Sequence, residues 1–97
     1  MKLARDKKLW IPDNEQWQNW SSNYEIKHWN AVVQHIHSTR TALDIGAHVG
    51  IWSIRMAGMF DKVYAFEPIT KHIECYKKNL SLYDNVSIHQ IALSDKN

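Results

Sequence analysis

Leu43-Asp44-Ile45-Gly46-Ala47-His48-Val49-Gly50 is the stretch that decides how this chain folds. Thr41-Ala42-Leu43-Asp44-Ile45 is a short apolar run that halts at Gly46, which suits a buried parallel strand. Ile51, Ile54 and Ala57 then mark a helix, weakened near its end by Gly58. The turn between them needs glycine for two reasons. Gly46 permits a tight turn without a Cβ clash, and Gly50 lets the helix approach the strand or a ligand closely. The helix start beyond is expected to offer unpaired N–H groups and a positive dipole end, suited to a carboxylate or a phosphate.

Downstream the alternation repeats. Lys62-Val63-Tyr64-Ala65-Phe66 reads as a second strand, and Ile69, Ile73, Tyr76 and Leu80 recur at helical spacing. Glu74 and Lys78 can pair on the outer face of that helix. Residues 86–91 (Val86-Ser87-Ile88-His89-Gln90-Ile91) alternate as a third strand. Upstream, Ser22-Asn23-Tyr24-Glu25 matches a capping box, and Trp29, Val32, Val33 and Ile36 predict an amphipathic helix over 23–37. Residues 1–21 read as irregular, with a turn at Ile11-Pro12-Asp13-Asn14. The expected order is helix, then βαβαβ: an α/β domain over 22–97 behind an irregular segment over 1–21. Its parallel strands should lie in the order 3-2-1.

Two common phosphate-binding fingerprints fail on this loop. The dinucleotide pattern requires glycine at positions 46, 48 and 51, where the chain has Gly46, His48 and Ile51. No Gly-Lys-Ser/Thr follows the turn, so the P-loop is absent. What stands there is an acid before the turn, Asp44, and a second acid, Glu67, directly after the second strand and before Pro68. A carboxylate at that strand end can accept hydrogen bonds from both hydroxyls of a ribose.

Composition narrows the class. Hydrophobic content of 44% with 23% charged residues argues for a soluble globular domain rather than a disordered chain. No apolar run reaches the roughly 20 residues that span a bilayer, and no signal-peptide core follows the N-terminal charges. The lone Cys75 forms no internal disulfide, and the expected compartment is the cytoplasm. A net charge of +2 is too small to argue for nucleic acid. Trp10, Trp17, Trp20 and Trp29 interleave with basic residues, but they read better as a small cap packed on the core. His28 and His35 share a helix face without a third ligand, so no metal site is expected. Cys75 has no partner pattern of a nucleophile.

At three places the sequence resembles FkbM-like S-adenosylmethionine-dependent methyltransferases. These are Leu43 to Gly50, then Ala65-Phe66-Glu67-Pro68, then Ala92-Leu93-Ser94-Asp95. Asn79 before Leu80 fits the same family's way of ending the second core helix. The resemblance covers roughly residues 23–97 and implies the first half of a Rossmann-like class I methyltransferase domain. It implies S-adenosylmethionine as cofactor, with Asp44, Gly46, Ala47, His48, Val49 and Gly50 around its methionine part. Glu67 would hold the ribose, and Ile91 and Ala92 would flank the adenine. His48 departs from the asparagine usual in the family; a similar N-terminal segment leans over the cofactor there, which would let Tyr24 help close the site, but Tyr24 and Glu25 read better as capping and packing residues. Family members continue through further strands that shape the acceptor pocket, so the chain reads as truncated relative to them.

The expected activity is methyl transfer, with oxygen of a small molecule or sugar as the acceptor that the family implies. The sulfonium activates the methyl group itself, so no catalytic side chain is assigned. Rival readings are a cofactor-binding module without transferase activity and an enzyme that degrades the cofactor. A 3-2-1 sheet leaves Thr41–Ile45 with an unpaired edge that carries neither proline nor a central charge in Thr41-Ala42-Leu43, so a homodimer is expected.

Overall fold

A computed structural model describes residues 1–13 and 25–92. Its first elements are two short strands, β1 (Lys2–Leu3) and β2 (Trp10–Ile11), followed by helix α1 (Ile26–Val33). The core then runs β3 (Thr41–Ile45), α2 (Ile51–Ala57), β4 (Lys62–Phe66), α3 (Thr70–Asn79) and β5 (Val86–His89). β3 pairs with β4 and β4 with β5, both in parallel, so the sheet order is the expected 3-2-1 counted from β5. No helix among the described residues is long and apolar enough to cross a membrane.

Both crossover helices cover the same face of this sheet. Ala42, Val63 and Ala65 point into it and pack with Met56 and Ala57 of α2 and with Tyr76 and Leu80 beside α3. The other face is open. Leu43 and Ile45 are 59% and 60% exposed, and Tyr64 is 38% exposed. The strand read as buried is therefore buried on one side only, among the described residues. The physical reason is that a βαβαβ unit with one crossover sense places its two helices together. On the open face Phe66 and His89 stack with ring centroids 5.4 Å apart.

Three local expectations change. α1 spans Ile26–Val33 rather than 23–37, and Glu25 stands outside it at φ +56°. The Ser22-Asn23-Tyr24 part of the capping-box reading lies outside the described residues; Glu25 occupies the N-cap without a side-chain cap bond. His35 and Ile36 donate to carbonyls three residues back, at Val32 and Val33, which tightens and ends the helix. The last strand stops at His89 rather than Ile91.

The third change lies in the segment read as irregular, which contains an antiparallel hairpin pairing Lys2 with Ile11 and Leu3 with Trp10. The hairpin buries Ala4, Leu9 and Ile11 against Val49, Ile51 and Cys75, a second core on the far side of α2 and α3 from the sheet. Asn79, the last residue of α3, clamps it. Its Nδ2 donates to the carbonyls of Trp10 (2.9 Å) and Val49 (2.7 Å), and its Oδ1 accepts from the Trp10 N–H (2.7 Å). The Lys78 ammonium sits 3.7 Å from the Trp10 ring centroid, so Trp10 does act as part of a cap. Asn79→Ala removes all three bonds and leaves part-buried backbone groups unpaired. It should lower the unfolding free energy in urea by about 2–3 kcal/mol.

Candidate functional site

The site lies at the C-terminal end of the sheet, where the β3–α2 loop leaves the strand. Three residues of that loop hold positive φ: Gly46 at +71°, His48 at +52° and Gly50 at +100°. The glycines serve different ends. A Cβ on Gly46 would meet nothing within 4 Å, so the dihedral alone requires glycine there. A Cβ on Gly50 would sit 2.5 Å from Leu80 Cδ2 and 2.9 Å from Tyr76 Cδ2. The close approach foreseen for Gly50 is thus to helix α3 rather than to the strand.

The loop is tied down by its own amides. Gly46 and Ala47 both donate to the Phe66 carbonyl (2.9 and 3.0 Å), Gly50 donates to Ala47 (2.9 Å), and His48 donates to Glu67 Oε1 (2.9 Å). Those N–H groups hold the loop's shape.

Glu67 is the hub. It is 2% exposed, and besides the His48 amide it accepts the Ile69 N–H (3.0 Å) and His72 Nδ1 (3.2 Å) at Oε2. Burial alone would raise its pKa. The Ile69 and His48 amides and the His72 ring together outweigh that and hold it below the ordinary glutamate value.

Asp44 is buried differently. Ser53 Oγ donates to Asp44 Oδ2 (2.6 Å), and the Tyr76 hydroxyl donates to Ser53 Oγ (2.9 Å). This buried chain orients the carboxylate from beneath. Burial raises the Asp44 pKa despite the Ser53 bond, and burial also pushes the Tyr76 phenol up to about 12.

A cleft of about 480 Å³ opens over Asp44, Gly46, Ala47 and His48, walled by Val32 of α1 and by Trp52 and Met56 of α2. Glu25 closes one end, its carboxylate accepting from Trp52 Nε1 (3.2 Å) and His28 Nδ1 (3.2 Å). Trp29 meets Trp52 edge-on with centroids 5.7 Å apart, which links α1 to this wall. The other residues implied by the resemblance lie outside the cleft lining. Val49 is buried in the hairpin core, and Gly50 faces α3. Glu67 borders the loop from below, and Ile91 and Ala92 are exposed beyond β5. Ser53, Tyr76 and His72 carry no site motif along the chain. Tyr76 reads as part of an apolar stripe, and a serine on the inner face of α2 is the signal for the chain beneath Asp44.

No protein-family model matches the chain, and no curated protein shows significant sequence similarity. Solved structures do match in fold. PH1948 from Pyrococcus horikoshii, a candidate RNA methyltransferase, aligns with TM-score 0.68 at 16% identity over 93% of this chain and 50% of its own. A SAM-dependent methyltransferase from Leishmania major aligns at 0.63 and 20% identity, over 73% of this chain and 30% of its own. Phosphoethanolamine N-methyltransferase 1 of Haemonchus contortus, in complex with phosphoethanolamine and S-adenosylhomocysteine, aligns at 0.54 and 20% identity, over 60% of this chain and 13% of its own. The chain has the Rossmann-like fold of these methyltransferases and spans at most half the length of each of the three.

The two acids give opposite pH signatures. Asp44 has a raised native pKa, so above the ordinary aspartate value of 3.8 the native state binds more protons than the unfolded chain, and stability falls as pH rises from there through the native pKa. Glu67 has a lowered native pKa, so its stabilisation is fully present above the ordinary glutamate value of 4.5 and is lost as pH falls from there through the native pKa. In thermal unfolding across a pH series, Asp44→Asn should gain on the parent as pH rises, while Glu67→Gln should lose.

Proposed function

We propose that this chain binds S-adenosylmethionine in the cleft over Asp44 to His48 and is the cofactor-binding half of a methyltransferase. One observation carries the reading. The positive-φ loop after β3 is locked to the acid at the end of β4 through the His48 N–H to Glu67 bond, on a methyltransferase-type sheet. In this arrangement Gly46, Ala47 and His48 shape the methionine end, with Asp44 beneath them. Glu67 serves the ribose side chiefly by setting the loop, since both of its oxygens already accept bonds from the chain. Val49 and Gly50 contribute by packing, and Ile91 and Ala92 flank the adenine. The acceptor proposed from the family resemblance is an oxygen of a small molecule or sugar.

Calorimetry on the 97-residue chain should show S-adenosylhomocysteine binding and little affinity for NAD. Glu67→Ala should weaken binding by about 1–3 kcal/mol, the usual cost of leaving the loop's His48 amide without its partner. Gly46→Val should abolish it, because a β-branched residue does not tolerate φ near +71°. Full affinity in a folded Gly46→Val variant would overturn the placement. The open sheet face favours a second reading, binding without transfer by this chain alone. Methyl-labelled cofactor incubated with cell extract distinguishes the two, because only a transferase moves label to an acceptor.

We also infer that this chain self-associates, because the free edge of β3 and the exposed Leu43 and Ile45 leave pairing groups and apolar surface open. Light scattering at micromolar concentration should give twice the 11.4 kDa chain mass. A folded, ligand-binding 11.4 kDa species would overturn this.

A further inference from the structure

His48, Glu67 and His72 come from three different elements: the β3–α2 loop, the end of β4 and the first turn of α3. One potential ligand atom from each lies within 4.8 Å of the other two. Spacing along the chain does not reveal them, since the first two stand 19 residues apart.

We propose that these three side chains form a binding site for a divalent transition ion of the zinc class. His72 Nδ1 and Glu67 Oε2 are already 3.2 Å apart. A tetrahedral zinc with bonds of about 2.0–2.1 Å holds neighbouring ligand atoms about 3.3 Å apart, so this pair needs almost no movement. His72 ligates through Nδ1 once its ring proton resides on Nε2. The His48 ring lies beside that of His72, centroids 5.1 Å apart, and it is exposed, so rotation of its side chain closes the third bond.

The Glu67 carboxylate is oriented before any ion arrives, by the His48 and Ile69 amides. Outer hydrogen bonds of this kind orient and strengthen a metal ligand. Two imidazoles and one carboxylate suit zinc and its neighbours. Magnesium and calcium prefer an all-oxygen shell. With Glu67 and His72 largely buried and His48 at the surface, the fourth position faces solvent and is open to water or a ligand atom.

The inference is independent of the cofactor reading, because its test uses metal alone. Zinc added to the metal-free 97-residue chain, in competition with a chromophoric chelator, should bind at one equivalent. His72→Gln keeps a hydrogen-bond donor for Glu67 but has no imidazole, and it should weaken zinc binding by about 100-fold or more. His48→Asn should do the same. Its position is exposed with φ +52°, which asparagine tolerates, so this variant tests the site even if His72→Gln does not fold. His28→Gln removes an exposed histidine elsewhere and should leave zinc affinity unchanged. Cobalt in place of zinc should give the intense visible absorption of a low-coordinate ion in the parent and lose it in both site variants. No zinc bound by the parent, equal affinity in the parent and the two site variants, or loss of affinity in His28→Gln would overturn the site.

Discussion

A carboxylate that is 2% exposed stands where β4 ends, and three parts of the chain converge on it. Glu67 accepts the amide of His48 from the loop before α2, the amide of Ile69 at the start of α3 and the ring of His72 one turn on. A buried anion is tolerated only when its lone pairs are met, and here they are met by groups that must hold their places to do so. The loop conformation, the start of α3 and the geometry of the cleft edge all depend on this one charge. The same bonds keep it ionised.

Asp44 shows the complementary arrangement. Its support is a neutral chain of hydroxyls, Tyr76 to Ser53 to Asp44, and its burial raises rather than lowers its pKa. Two acids at neighbouring strand ends thus have different characters, one set among amides and one above hydroxyls. Tyr76 joins this chain to the packing of the domain, because its ring also lies in the hydrophobic core and against Gly50. Core packing and site geometry share that residue.

The sheet divides the domain into a finished and an unfinished side. α2 and α3 bury one face, and the N-terminal hairpin buries the far side of those helices in turn. The other face exposes Leu43, Ile45 and Tyr64. α1 buries no residue and reaches the rest chiefly through Trp29 on Trp52 and Glu25 on the Trp52 indole. The cleft therefore has one wall built by the central fold and one built by a loosely packed helix.

The βαβαβ order, the strand positions of β3 and β4, and the need for glycine at 46 and 50 are legible along the chain. Each of these follows from a short-range rule: strand and helix periodicity, or a backbone angle of +71° or +100° that side chains resist. The sequence also marks Asp44, the loop and Glu67, since an acid at a strand end is a local signal. What those residues touch depends on how the elements pack. Packing turns Glu67 inward, engages the loop amides and brings His72 beside His48. It also sets Ser53 and Tyr76 under Asp44, and docks Trp10 on Asn79 across 69 residues. Such contacts join positions with no common period, so no pattern along the chain encodes them; they exist only once the helices have packed on one face of the sheet.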